Sequence, residues 1–219
     1  ALTHGHIDHA GGMNQFEEVY LHPADFAMAQ AVTPEERGGY VDTMLSMSDG
    51  IYSVTRYDVV VPKTRARLLP LQGGTYLHLG NRDVMVFDTP GHTPGGLSYL
   101  DKKERLLFSG DACNMNTLLA AMGQPATERT CVTALKQTAE KLEALHPYYD
   151  RHYNGHIGYA DAKSCMPMPE CLVRDCIALC ENLLAGTIVG EKVENPFCGE
   201  CRLARNNTMQ IVYRDDQVK

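Results

Sequence analysis

Residues 3–12 read THGHIDHAGG, so His4, His6, Asp8 and His9 crowd into six positions. An ordinary apolar core cannot absorb such a cluster, because each imidazole or carboxylate taken out of water without a partner costs several kcal/mol. The stretch therefore lies at the surface or gathers around a cation. On an extended segment His4 and His6 point the same way, while Asp8 and His9 lie in the turn that follows, an arrangement that serves two metal ions better than one. Neutral imidazole with carboxylate suits zinc or a comparable transition metal. Gly5, Ala10, Gly11 and Gly12 let the backbone turn sharply around such a centre and start a helix without crowding.

Three later stretches supply further ligand types, each beside glycine and just past a strand-like run. TPGHTPGG (89–96) carries His92, FSGDAC (108–113) carries Asp111, and YNGHIG (153–158) carries His156. His152 competes with His156 for the last place, and the glycine before His156 favours the latter. His22, His78 and His146 belong to no motif and read as surface or capping residues.

The rest of the chain frames these motifs as one domain, 1–219. With 44% hydrophobic and 21% charged residues it can bury a core, and disorder is excluded over most of its length. A net charge of -7 without a Lys/Arg stripe argues against nucleic acid; KTRAR at 63–67 reads as a solvated loop. No run approaches the roughly 20 apolar residues of a membrane span, and no leader-like segment opens the chain. All eight cysteines follow residue 112, several at helical spacing. The expectation is a cytoplasmic protein acting on a small-molecule substrate.

Hydrophobic periodicity places a strand at 18–22, a helix from Pro23 to about Val32 and a second helix over 34–49. The tract 50–74 stays unassigned, and 34–74 reads as an insertion. TYLHLG (75–80), DVMVFDTP (83–90), GLSYLD (96–101) and RLLFSG (105–110) read as consecutive strands, and YDRHYNGH as another. Helices follow over 128–145, with Val132, Leu135, Ala139, Leu142 and Leu145 on one stripe, and over 169–186, with Leu172, Cys176, Leu179, Cys180 and Leu183 on one face. The alternation predicts an α/β fold with a cysteine-containing C-terminal tail, about 165–219.

The ordered set THGHIDHAGG, DTPGHTPGG, FSGDA and NGHIG resembles the metallo-β-lactamase superfamily of metallohydrolases. That resemblance implies an αβ/βα sandwich with the site at one edge of two facing sheets. It further implies two divalent metal ions, zinc first and iron or manganese as alternatives. His4, His6 and His92 would hold the first ion, Asp8, His9 and His156 the second, and Asp111 would bridge them. A hydroxide held between the ions would attack an electrophilic carbonyl, with Asp8 as the catalytic residue that orients it.

Position 8–9 is AspHis and the bridging position is Asp111, so branches that bind zinc through cysteine there do not fit, and His6 stands where flavo-diiron members usually carry Glu. The loops resemble most the hydroxyacylglutathione hydrolase and acyl-homoserine lactonase branches, which implies hydrolysis of a thioester, lactone or related acyl ester. The alternatives are a β-lactamase-type amidohydrolase or phosphodiesterase, an iron-dependent persulfide dioxygenase-like oxidoreductase, and a vestigial site. Members normally carry strands ahead of the HxHxDH loop, and here only AlaLeu precedes it. The expectation is a homo-oligomer or an additional N-terminal segment that completes the sheet. Cys198 and Cys201 form CGEC, a weak sign of a redox pair or half a zinc site, which Cys165 and Cys171 could complete. Cys113 is expected to line the site.

Overall fold

The computed structural model describes residues 1–47, 50, 53–59, 65–119, 124–156 and 167–219. The opening motif enters a short helix, α1 (Ile7–Ala10), and the chain then forms β1 (Glu18–Leu21). Asp8 and His9 thus sit on a helical turn rather than in an open one. The helix expected from Pro23 divides into a 3-10 turn, Pro23–Asp25, and α2 (Phe26–Ala31). The next helix, α3 (Pro34–Ser46), starts at a capping box: Glu36 N donates to Thr33 Oγ1 at 3.2 Å and Thr33 N to Glu36 Oε2 at 2.7 Å.

Within the tract left unassigned, β2 (Arg67–Pro70) pairs in parallel with β1, Glu18 opposite Arg67. RLLP carries no alternation that would announce a strand; the edge of β1 makes it one. Strands β3 (Tyr76–His78), β4 (Asp83–Asp88), β5 (Leu97–Asp101) and β6 (Leu106–Phe108) form an antiparallel meander. After β7 (Asn116–Leu118) and α4 (Val132–Ala144), β8 (Arg151–Tyr153) joins β6 in parallel and completes a five-stranded sheet. Helix α5 (Leu172–Leu184) leads to β9 (Glu191–Asn195), β10 (Gly199–Arg205) and β11 (Gln210–Tyr213). These pair with β7 in the order β7-β11-β10-β9, so the tail supplies most of a second sheet.

Side-chain alternation shows how the layers close. Val84, Val86, Leu97 and Tyr99 pack with Leu71 on one face of the five-stranded sheet. Leu100 and Leu107 point the other way, into a cluster with Leu135 and Leu142 of α4 and Leu172 and Leu179 of α5. Ile211 and Tyr213 of β11 share that cluster, so the helices bury their stripes against both sheets. A large aliphatic side chain fully removed from water contributes roughly 1.5–3 kcal/mol, which makes this cluster the main hydrophobic anchor of the fold.

The topology gathers the motifs at one edge. Because β4 and β6 both run antiparallel to β5, and β8 runs parallel to β6, the C-terminal ends of β4, β6 and β8 lie beside the start of β5. His92 follows β4, Asp111 follows β6 and His156 follows β8. The first residues of the chain reach the same edge: Leu2 N donates to Tyr20 O at 2.9 Å and Leu97 N to Thr3 O at 2.8 Å.

Candidate metal centre

The seven expected residues converge. His4, His6 and His92 form one group with ligand atoms within 4.8 Å of one another, Asp8, His9 and His156 form another, and His4, His9 and Asp111 form a third that overlaps both. His6 Nδ1 lies 2.8 Å from His92 Nε2, and His9 Nε2 lies 3.3 Å from His156 Nε2. Asp111 joins the groups: its Oδ2 is 2.9 Å from His156 Nε2 and 3.6 Å from His92 Nε2, while its Oδ1 is 3.6 Å from His9 Nε2. Asp8 Oδ2 lies 3.4 Å from His9 Nε2 and 3.7 Å from His156 Nε2.

The charge pattern divides along the same line. Burial, reinforced by His92, pushes His6 down to about 3, and burial also drives His4 well below the usual histidine range. His4 and His6 therefore present neutral imidazoles, the form that ligates metal. In the second group burial opposes ionisation, but the carboxylates outweigh it: Asp111 and Asp8 raise His9 to about 9, and Asp111 raises His156. Burial likewise works against Asp111, yet the hydrogen bond from His156 and the nearby His9 hold it well below the usual carboxylate range. The proton that His9 holds at neutral pH thus offsets part of the carboxylate charge, the role a cation would take over.

The donor set fits divalent metal. His4 Nε2 and Asp111 Oδ1 are buried without a hydrogen-bond partner, an arrangement that costs roughly 1–3 kcal/mol per group unless something binds there. The ring of His92 is also preset: its Nδ1 lies 2.6 Å from Leu118 O, so that Nδ1–H donates to the carbonyl and Nε2 keeps its lone pair for the site.

Three residues that no motif announced hold the centre in shape. Asp25, fully buried, accepts hydrogen bonds from Gly5 N at 3.0 Å and Thr93 Oγ1 at 2.8 Å on Oδ2, and from Gly95 N at 2.7 Å on Oδ1. One carboxylate therefore ties the His4–His6 segment to the His92 loop. A Cβ at Gly95 would come within 2.6 Å of Asp25 Oδ1, so glycine is what permits the approach. A charged residue in an apparent 3-10 turn gave no signal of this role beyond its lying between two motifs. Gln124 places Nε2 3.0 Å from His6 Nε2. His152, the competitor of His156, stays out of the ligand groups: its Nε2 lies 2.7 Å from Ser109 Oγ, and burial lowers it to about 4. The neutral ring donates to Ser109, whose hydroxyl donates in turn to the loop carbonyls of Gly110 or Cys113, each at 3.1 Å, on either side of Asp111.

Other expectations resolve simply. His22 caps the turn at Pro23, accepting from Ala24 N at 3.1 Å, and His78 is exposed beside Asp83. Cys113 does not line the site; it is buried in the helix–sheet cluster, where its free thiol and that of Cys180 make hydrogen-bond contacts with the free thiol of Cys176. Cys198 and Cys201 approach to 3.2 Å at the turn between β9 and β10, and burial with the neighbouring thiol pushes Cys198 up to about 12. Among the described residues no candidate metal group contains cysteine, Cys171 is exposed, and Cys165 lies outside the described residues. No described helix is long and apolar enough to cross a membrane.

Comparison with known proteins decides the family. The metallo-beta-lactamase superfamily model matches residues 1–117, over half of the chain and through Asp111. The chain belongs to the metallo-beta-lactamase superfamily. Among curated relatives, the human acyl-coenzyme A thioesterase MBLAC2 is 36% identical over 126 residues, covering 53% of this chain and 42% of that protein. The hydroxyacylglutathione hydrolase of Bartonella quintana is 26% identical over 113 residues, covering 50% of this chain and 32% of the relative. The chain thus aligns with less than half the length of these relatives. A beta-lactamase domain protein from Burkholderia ambifaria superposes with a TM-score of 0.55 at 17% identity, covering 84% of this chain and 52% of that one, which establishes the shared metallo-β-lactamase fold.

Proposed function

We propose that this superfamily member is a dinuclear metal-dependent hydrolase of thioesters. The observation that carries the reading is the junction at Asp111, which lies within 3.6 Å of both a buried three-histidine group and a carboxylate-bearing group. His4, His6 and His92 would hold one divalent ion and Asp8, His9 and His156 a second, with Asp111 shared. When bound, such ions polarise a carbonyl and lower the pKa of coordinated water from 15.7 to about 7. Relatives named as an acyl-coenzyme A thioesterase and a hydroxyacylglutathione hydrolase support an acyl substrate.

The chain's own groups suit that chemistry. Asp8 is the more exposed of the two central carboxylates, 25% against 8% for Asp111. Although burial opposes it, the hydrogen bond to His9 keeps Asp8 ionised, so it accepts the hydrogen bond that orients an attacking water. Asp25 and the His152–Ser109 relay fix the ligand loops, so little reorganisation accompanies reaction. A thiolate, with a parent thiol pKa near 8.5, leaves more readily than an amine or alkoxide, which makes a thioester the least demanding acyl target for this apparatus.

A panel of thioesters, lactones, β-lactams and phosphodiesters, assayed on zinc-replete wild type and Asp8→Asn, tests the proposal. Thioester turnover that falls about a hundredfold in the variant supports it. Turnover of phosphodiesters alone, or equal activity in the two proteins, overturns it.

A further inference from the structure

Beside the metal centre lies a cleft of about 670 Å³, walled by α2, α3 and the turn between β9 and β10. His6 and Gly5 belong to its lining, so the cleft opens directly onto the ligand cluster. Its volume falls in the range of small-molecule sites. The walls are apolar: Ile7, Met28 and Val32 on one side, and Phe197 on the other, its ring centroid 6.2 Å from that of Tyr40.

The few polar linings are committed to protein partners. Glu36 accepts from Thr33 N, Thr43 Oγ1 donates to Gly39 O at 3.0 Å, and Gln124 Nε2 lies against His6 and Met28 Sδ. No Lys or Arg is among the described lining residues. A phosphate or a carboxylate would lose its water there and meet no cationic side chain among the described lining residues, whereas a hydrocarbon loses nothing.

We propose that this cleft is the acyl subsite, and that the enzyme selects thioesters with an extended apolar acyl chain, the thiol portion leaving on the opposite side of the metal centre. This inference rests on the thioester reading above. Any acyl chain bonded to a carbon reacting at the cluster and directed past His6 enters the cleft, where Met28, Val32, Tyr40 and Phe197 cover it.

Gly39 of α3 provides the test. A Cβ built there meets nothing within 4 Å, and the residue lines the cleft. Glycine is the poorest helix former after proline, so Gly39→Phe fills the cleft without weakening the helix. kcat/KM is measured for thioesters of one thiol with acyl chains of two to twelve carbons. In wild type it rises by about fourfold per added methylene until the cleft is filled. In Gly39→Phe the rise is lost while acetyl thioester turnover is kept. In parallel, butyrate and dodecanoate are titrated calorimetrically into both zinc-loaded proteins. If no thioester is turned over but dodecanoate binds wild type more tightly than Gly39→Phe, the subsite stands and the thioester reading falls. Turnover independent of chain length, or a Gly39→Phe loss equal for all lengths, overturns the subsite and leaves the thioester reading intact. The thermal unfolding midpoint of zinc-loaded Gly39→Phe, expected at or above that of wild type, guards against a folding artefact.

Discussion

Replacing Asp25 by asparagine tests whether the centre depends on a residue outside the ligand set. Asp25 is completely buried and accepts three hydrogen bonds, two on Oδ2 and one on Oδ1. Asparagine keeps the shape but has one acceptor oxygen. Turned to Gly5 and Thr93, it sets its amide group against Gly95 N–H, so one charge-assisted bond is lost and two donors face each other. With bonds to a charged group contributing about 1.5–3 kcal/mol, the expected loss is about 2–4 kcal/mol. That is large beside a total stability of about 5–15 kcal/mol, yet leaves a folded protein. Urea unfolding of the zinc-loaded proteins measures it, and competition with a chromophoric chelator measures zinc affinity. Both ligand loops hang on this carboxylate, so affinity should drop at least tenfold along with stability, roughly 1.4 kcal/mol per tenfold. A stability change under about 0.5 kcal/mol with unaltered zinc affinity would refute the reasoning.

Two further outcomes follow from named contacts. His152 titrates at about 4 in the folded protein against 6.5 for the free side chain, so between those values the unfolded chain binds more protons. Its contribution is intact above pH 6.5 and is lost as pH falls toward 4, by up to about 3 kcal/mol; His152→Asn should flatten the acid limb of unfolding midpoint against pH, and superimposable limbs would contradict this. Gly155 sits so close to His9 that an added Cβ would come within 2.3 Å of its Cε1. Gly155→Ala should displace that ring and release about one equivalent of bound metal, read by elemental analysis, whereas unchanged content would show that the ring moves freely.

The side chains of the candidate centre were legible in the sequence because a metal centre demands particular atoms. His4, His6, Asp8, His9, His92, Asp111 and His156 are conspicuous by type and spacing, and strand-end loops with glycine carry the last three. Strands β4, β5 and β6 and helices α4 and α5 were legible because their apolar periodicity matches the faces they bury. Strand β2 was not, since a short run such as RLLP acquires its conformation from β1 across 49 residues of sequence, Glu18 to Arg67. The small strand β7, Asn116–Leu118, owes its pairing to β11, at the far end of the chain. Asp25 was missed, and His152 was weighed only as a rival for the place of His156, for a related reason: an aspartate two residues after a proline and a histidine in a strand are common, and only the folded loops show what they hold.

The central claim is that seven side chains build one two-ion centre. It is tested most directly by the metal content of the protein purified without added metal, measured by plasma mass spectrometry beside Asp111→Ala. The account predicts two equivalents of divalent ion per chain, zinc foremost, and less than one in the variant, because Asp111 stands within 3.6 Å of ligands from both groups. Absence of bound metal after zinc reconstitution, or a single iron with no second ion, would contradict it.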